Sequence, residues 1–374
     1  MAKSPFTGRV KRLQQLLKEK GYTAFLVARS IHLYYLTGFT GDSSFLLVTP
    51  KKTILISDDR FAVQIAEECS GIETYIRGHD KNTFQAIAHV VSKNGWNNVA
   101  VEASGLTLAE YERLKELAPA VNFVPCSGWV ESLRVLKDEG EIRTLRKAIQ
   151  VAESAFALLR LTMQPEHSEK NLTDAIETYV RQLGGQATAF PPIVGIGNRS
   201  ALPHCPPSSR KVHEAEFLLV DWGAKFQFYH SDMTRVILAP QVSLRKTVER
   251  KLTDIYTVVS EAQQKAAAAI RPGVHVREVD RAARAHIEQA GYGPYFNHGL
   301  GHGIGLEIHE APSIRSNSED ILQAGMVITL EPGIYLPDFG GVRIEDDFLI
   351  TPNAVERLTK TPQHWEELIA EKLY

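Results

Sequence analysis

The sequence predicts an α/β N-terminal domain over residues 1–136, followed by an α+β domain over 137–374 built on an internal pseudo-two-fold duplication. Three observations lead there. Helix and strand signals alternate through the first third, and a charged run marks a boundary near residue 137. The remainder then holds two segments of matched spacing, each followed by a pair of strand signals that carry acidic residues.

The elements follow in order. Val10, Leu13, Leu16 and Leu17 recur at helical spacing, and Gly21 stands where a helix end favours a left-handed residue. Ala24 to Ala28 is an apolar run of strand length. Phe45–Val48 and Thr53–Ser57 flank Thr49-Pro50-Lys51-Lys52, which is turn chemistry between two strands. Thr107 and Glu110 have the spacing of a capping box, which predicts a helix start. The first domain should end between Cys126 and Lys137. Lys137-Asp138-Glu139-Gly140-Glu141 then opens a helical stretch to about Leu161.

Beyond that point two segments match. Pro165, Leu172, Val180 and Gly184 correspond to Pro272, Val279, Ile287 and Gly291 at a constant offset of 272 − 165 = 107 residues. Shared spacing also arises by chance in helix pairs, so the duplication gains weight from the strands behind it. In the first half, Leu218-Leu219-Val220-Asp221-Trp222-Gly223 reads as a strand carrying an acid, and Tyr229 to Leu238 as a second strand carrying Asp232. In the second, Val327-Ile328-Thr329-Leu330-Glu331 leads through the turn Asp338-Phe339-Gly340-Gly341 into Val342-Arg343-Ile344-Glu345.

An ionised carboxylate in an apolar strand is costly unless it is paired or bound to a metal. Any one of these acids could pair with Arg235 or Arg343 at a strand end. Four converging would repel one another, and divalent cations bridged by carboxylates remove that conflict. Between the second helix pair and its hairpin runs His298-Gly299-Leu300-Gly301-His302-Gly303-Ile304-Gly305-Leu306-Glu307-Ile308-His309-Glu310. So many glycines cannot stay helical, and they imply tight turns or close backbone approach. A lone histidine is usually structural. Three beside two acidic hairpins favour an imidazole ligand with polar helpers, and mostly oxygen ligation suits Mn²⁺, Co²⁺, Fe²⁺ or Zn²⁺.

The bulk properties narrow the classes. A formal charge of -2 offers no global attraction to nucleic acid or an acidic membrane. No apolar run approaches the roughly 20 residues of a membrane span. Three cysteines (Cys69, Cys126, Cys205) without a Cys-x-x-Cys pair argue against a disulfide framework or a thiolate zinc site. With no continuous apolar stretch in Met1 to Lys20, a cytoplasmic location is expected. Cys205 beside His204 invites a thiol-nucleophile reading, but neighbours in sequence rarely have that geometry. Trp96, Trp129, Trp222 and Trp365 read as core or interface residues.

Together these residues resemble the pita-bread metallopeptidases: prolidase, aminopeptidase P and methionine aminopeptidase. Tyr35-Leu36-Thr37-Gly38-Phe39 and Asp58-Asp59-Arg60-Phe61 are similar to the N-terminal domain of prolidases and aminopeptidase P. Ser200-Ala201-Leu202-Pro203-His204, the Asp221/Asp232 pair, the His298–Glu310 run, Glu331 and Arg343-Ile344-Glu345-Asp346-Asp347 are similar to the catalytic domain. The resemblance implies two divalent ions, with Mn²⁺ expected first. Asp221 would hold one, His302 and Glu331 the other, and Asp232 and Glu345 would bridge. It further implies cleavage on the N-terminal side of proline by a hydroxide bridging the ions, with Glu331 as proton shuttle. His204, His298 and His309 would line the substrate pocket, His204 and His309 as catalytic helpers, and Arg343 would orient a neighbouring acid.

A homodimer is implied as well, the N-terminal domain of one subunit approaching the other's active site. Some prolidases carry His-Glu-x-Pro-Arg, whereas this chain has His309-Glu310-Ala311-Pro312-Ser313 with Arg315 further on. That departure favours an aminopeptidase P-like activity over a strict Xaa-Pro dipeptidase. Relatives that became binding proteins lose metal ligands, and all five are present here, which disfavours a non-catalytic peptide-binding role. The metal-free creatine hydrolase of the family is disfavoured on the same ground.

Overall fold

The computed structural model describes residues 5–240 and 242–363. Trp365 therefore lies outside the described residues. The chain divides into two units, Met1–Arg134 and Val135–Tyr374.

The first unit is an α/β layer structure. It runs α1 (Pro5–Glu19), β1 (Ala24–Val27), α2 (Ser30–Thr37), β2 (Phe45–Val48), β3 (Thr53–Asp58), α3 (Ala62–Glu68) and β4 (Glu73–Arg77). Then come α4 (Thr83–Lys93), β5 (Asn98–Glu102), α5 (Leu108–Leu117), β6 (Asn122–Cys126) and α6 (Trp129–Arg134). The strands form one sheet in the order β4-β3-β2-β1-β5-β6. Leu13 and Leu17, one helical turn apart on α1, are fully buried. The β2–β3 turn closes with Thr49 N donating to Lys52 O at 2.8 Å. Thr107 caps α5 reciprocally with Glu110, as the spacing predicts. A buried polar hub joins three elements: Glu102 accepts from Ala28 N, Arg29 N and the His32 imidazole, whose other nitrogen faces Arg134 at 2.7 Å.

The second unit opens with α7 (Glu139–Thr162) and α8 (Glu169–Gln182). Next are β7 (Ala187–Thr188), β8 (Ile193–Ile196), β9 (Phe217–Trp222), β10 (Ala224–Phe226), β11 (Tyr229–His230) and β12 (Met233–Leu238). The second half holds α9 (Lys246–Ala269), α10 (Val276–Gln289), β13 (Gly301–Gly303) and β14 (Glu310–Ile314). It finishes with β15 (Val327–Leu330), β16 (Gly333–Leu336), β17 (Gly340–Arg343), β18 (Asp346–Ile350) and β19 (Val355–Arg357). The duplication is exact at the level of helices. Both bounds of α7 recur in α9, and both bounds of α8 in α10, at 246 − 139 = 107. Gly184 and Gly291 end the second helix of each pair at φ 93° and 84°, a left-handed backbone that glycine adopts without strain.

A core cluster of this unit packs α9 and α10 against the strands of the second half and against Phe217, Leu219 and Val236 of β9 and β12. Trp222 ties β9 to α7: its indole donates to Ala152 O at 2.8 Å and stacks on Phe156 at 4.1 Å. No helix among the described residues is long and apolar enough to cross a membrane.

One feature differs from the sequence expectation. The second acidic hairpin is not one ladder but two. β15 pairs with β18, while β16 pairs with β17 in a separate two-stranded sheet. The break falls at Glu331-Pro332 on one side and Ile344-Glu345 on the other. Pro332 has no N–H to give a ladder, so the pairing stops there. Three of the four acids thus sit at strand edges rather than within strands: Asp232 just before β12, Glu331 just after β15 and Glu345 just before β18.

Candidate active site

The acids converge because the two halves meet at an antiparallel bridge, Thr234 with Glu345. On one side, β9 and β12 place Asp221 opposite Thr234. On the other, Leu330 pairs with Asp346, so Glu331 and Glu345 leave their strands side by side. Arg235 holds the halves together. Fully buried, it donates to Thr234 O, Glu345 O, Asp346 Oδ1, Thr361 O and Pro362 O, which uses all five of its N–H groups. Gln263 on α9 lies within hydrogen-bond distance of Leu330 O, Ile344 O and Asp346 Oδ2, bracing the same edge.

His302 comes to the acids on β13. The close approach explains the glycines around it: a Cβ at Gly301 would collide with the Thr329 carbonyl. The His302 Nδ1 lies 3.0 Å from Gly303 O, which fixes the proton there and leaves Nε2 as a lone pair facing the acids. That Nε2 lies 3.6 Å from Asp232 Oδ2 and 3.6 Å from Glu331 Oε1. One ligand atom each from Asp232, His302 and Glu345 fall within 4.8 Å of one another.

The electrostatics are those of a site short of positive charge. Burial, then Glu345 and Asp221, push Asp232 well above the usual carboxylate range. Burial and Glu331 do the same to Glu345, and burial raises Glu331 to about 7. Asp221 is raised by burial against the pull of Arg343, which donates to it directly. Asp221 Oδ1 and Asp232 Oδ1 are buried without a hydrogen-bond partner. Unpartnered buried carboxylate oxygens are rare, and a cation satisfies them where the chain supplies none. Burial lowers the His302 pKa to about 4, so its imidazole is neutral, the form that binds metal. The donor set of carboxylates and one imidazole therefore fits divalent cations. The other acid–histidine group, His32, Glu102 and Glu131, contrasts with it, because Arg134 and backbone N–H groups already satisfy His32 and Glu102.

A cavity of about 810 Å³ opens onto these residues. His204, His298 and His309 all line it, as does Arg343. His309 packs edge-on against His302 with ring centroids 4.4 Å apart. Part of the wall is apolar, with Phe190, Pro191, Pro192 and Ile193 leading into Asp221 through the β8–β9 pairing. Sequence reasoning missed Tyr335. Its buried hydroxyl accepts from Arg343 Nη1 at 2.8 Å and faces His298 Nε2 at 2.9 Å, while Arg343 Nε donates to Thr234 Oγ1 at 2.9 Å. Thr234 Oγ1 in turn donates to Glu345 Oε2 at 2.6 Å. Tyr335 and Thr234 stand in ordinary strand patterns, and only their placement reveals them. Cys205 also lines the cavity, but burial raises its thiol pKa, opposite to the shift a nucleophile needs.

Comparison with known proteins agrees with this architecture. The description "Metallopeptidase family M24" matches residues 143–352, and "Creatinase/Prolidase N-terminal domain" matches residues 9–136. The Xaa-Pro dipeptidase of Pyrococcus horikoshii is 34% identical over 94% of this chain and 97% of its own. The solved Xaa-Pro dipeptidase from Bacillus anthracis superposes with a TM-score of 0.89 at 36% identity, covering 96% of this chain and 99% of its own. The X-Pro aminopeptidase from Thermotoga maritima superposes at 0.86 with 32% identity, covering 94% and 99%.

Proposed function

This chain belongs to metallopeptidase family M24, and from that premise we propose that it is a metal-dependent exopeptidase hydrolysing the Xaa-Pro bond at the N-terminus of peptides. The observation that carries the reading is the cluster of buried acids with unpartnered oxygens, facing a neutral imidazole at the end of an apolar-walled cavity. Asp221, Asp232, His302, Glu331 and Glu345 would hold two divalent ions, Mn²⁺ being the expected pair and Co²⁺, Fe²⁺ or Zn²⁺ the alternatives. Bound cations supply a water made acidic enough to attack at neutral pH and polarise the scissile carbonyl.

The chain's own residues supply the remainder. Glu331, beside the His302 ring nitrogen at the edge of the cavity, is placed to take a proton and return it to the leaving nitrogen. His204 and His309, exposed on the cavity wall, are placed to donate hydrogen bonds to the oxygen that gains charge. Tyr335 orients His298, and Arg343 orients Asp221. The apolar wall from Phe190 to Ile193 offers a surface for the proline ring, and a proline amide without an N–H needs recognition of that kind.

Strict Xaa-Pro dipeptidase activity is the second reading, favoured by the names of several relatives, the Pyrococcus horikoshii protein among them. A homodimer and a cytoplasmic location belong to the same proposal, as do functional domains at 1–136 and 137–374. The test is a panel of Xaa-Pro dipeptides, Xaa-Pro-Yaa peptides and Met-Ala-type peptides, assayed before and after chelation and with each metal restored. Cleavage at Xaa-Pro bonds that is lost on chelation and regained with metal supports the proposal. Preference for Met-Ala bonds, or activity indifferent to chelation, would overturn it.

A further inference from the structure

Glu169, in the first turn of α8, is fully buried and stands outside the cavity lining. A buried carboxylate is costly unless donors meet its oxygens. The donors that meet Glu169 come from one segment, the loop 196–208 that carries His204. Where that loop leaves β8, Ile196 N donates to Oε1 at 2.9 Å. Where it returns, Ser208 donates to Oε2 from its N at 2.9 Å and from its Oγ at 2.6 Å. Arg199 lies between the two ends, its Nε 2.9 Å from both carboxylate oxygens. Its Nη2 crosses the loop to donate to Pro206 O at 2.6 Å and lies 3.3 Å from Cys205 Sγ.

The held residues bracket His204, Arg199 before it and Cys205 and Pro206 directly after. The His204 side chain is exposed on the cavity, and no hydrogen bond from the described residues holds its imidazole. Its place over the acids is therefore inherited from the backbone of the loop. That backbone is tied to the sheet of the site at one end. Gly341 N on β17, two residues before Arg343, donates to Ser200 Oγ at 2.7 Å, and a Cβ at Gly341 would collide with Ser200 O. The other end docks on α8, where Glu169 N donates to Arg210 O at 3.0 Å and Lys170 N to Ser208 O at 3.2 Å.

We propose that Glu169, acting through Arg199, is a positioning residue that holds His204 in reach of the reacting carbonyl. The inference rests on the Xaa-Pro peptidase reading, in which His204 donates to the oxygen that gains charge, and adds what fixes that donor in place. A displacement of about 1 Å at a reacting group can cost on the order of 10²-fold in rate, even when the substitution lies away from the chemistry. Glu169→Gln keeps the shape of the side chain but turns one oxygen into an N–H group that faces other donors. Arg199→Lys replaces a planar fork with a point charge that cannot lie across both carboxylate oxygens and also reach Pro206 O.

The test uses metal-loaded full-length protein with Xaa-Pro and Xaa-Pro-Yaa peptides. It compares wild type, Glu169→Gln, Arg199→Lys, His204→Ala and each of the first two combined with His204→Ala. Alone, Glu169→Gln and Arg199→Lys should each lower kcat by about ten- to hundredfold, with KM and metal content near wild type. On the His204→Ala background neither should lower kcat further, because the contact they position is already gone. The Arg199 side chain is 27% exposed, so Arg199→Lys decides the matter if Glu169→Gln does not fold. The same fold-loss with and without the His204 imidazole would overturn the proposal. So would a lowered melting temperature with kcat unchanged, loss of metal from either variant, or a His204→Ala variant as active as wild type. Each of these leaves the peptidase reading standing. Wild type inert toward every Xaa-Pro peptide would overturn both.

Discussion

At the scale of single residues, two side chains on the cavity separate metal holding from transition-state help. Glu331 lies 3.6 Å from the His302 ring nitrogen, among the acids. Glu331→Ala should lower both metal content, read by elemental analysis, and kcat, to near background. His309 stands on the exposed wall and touches His302 only through ring packing. His309→Ala should therefore keep its metal while kcat falls by about 10²–10³, the usual effect of losing one hydrogen bond to a charged transition state. Loss of metal in that variant would reassign His309. Residue pattern alone leaves His302 and His309 as equivalent histidines in one glycine-rich run, and it is the resemblance to the metallopeptidases that assigns them different roles. The difference arises from β13, which turns His302 inward against the acids and leaves His309 beyond the strand.

At the scale of elements, charge pairs fix segments in place. Asp58 ends β3 and accepts from Arg60 at 2.9 and 2.8 Å and from Arg77 on β4 at 3.0 Å. The bonds from Arg60 hold its pKa at about 2, with Arg77 adding to them. The unfolded value is about 3.9, so the folded form is favoured by ionisation above that pH, and the contribution fades as pH falls toward about 2. Asp58→Asn should lower the melting temperature at neutral pH and flatten its decline across that acid window. An unchanged decline would show that Asp58 contributes nothing to acid sensitivity.

In the second unit, the buried Lys137 ammonium meets Glu310 at 3.0 Å, and Glu310 also accepts from Glu307 N, which closes the loop carrying His309. Lys137→Ala leaves that carboxylate without its counter-charge and should cost about 3–5 kcal/mol in urea denaturation. The charged run Lys137–Glu141 is readable as a helix start, and Asp138 does cap α7. That Lys137 also anchors a loop 173 residues away is a tertiary fact.

At the scale of the whole molecule, the repulsion among Asp221, Asp232, Glu331 and Glu345 predicts that a metal bound there would stabilise the fold as well as serve the proposed chemistry. Ions that bind only the folded state should raise the melting temperature, by about 2.7 kcal/mol equivalent at a hundredfold excess over Kd. Removal by chelator should lower it reversibly, and calorimetric scans with and without Mn²⁺ measure the shift. A melting temperature indifferent to both would argue against a metal centre. Arg235 gives the matching test of how the two halves are held. Arg235→Met leaves Asp346 Oδ1 and several carbonyls without the guanidinium, and should destabilise by about 3–5 kcal/mol.

What the sequence determined by itself is whatever depends on local pattern. The helix and strand periods, the capping box at Thr107, the boundary near Lys137 and the 107-residue repeat are all carried by residues close together in the chain. The acids too were conspicuous there, because a carboxylate ending an apolar run must find a partner. The tertiary structure decided which partners those are. It split the second acidic hairpin at Pro332 and joined the halves through Thr234 and Glu345. It also drew Tyr335 into contact with His298 and Arg343. Contacts of that kind join residues tens to hundreds of positions apart, and no periodicity encodes them. They follow from how two repeated layers close over one another and from which charges that closure leaves unpaired.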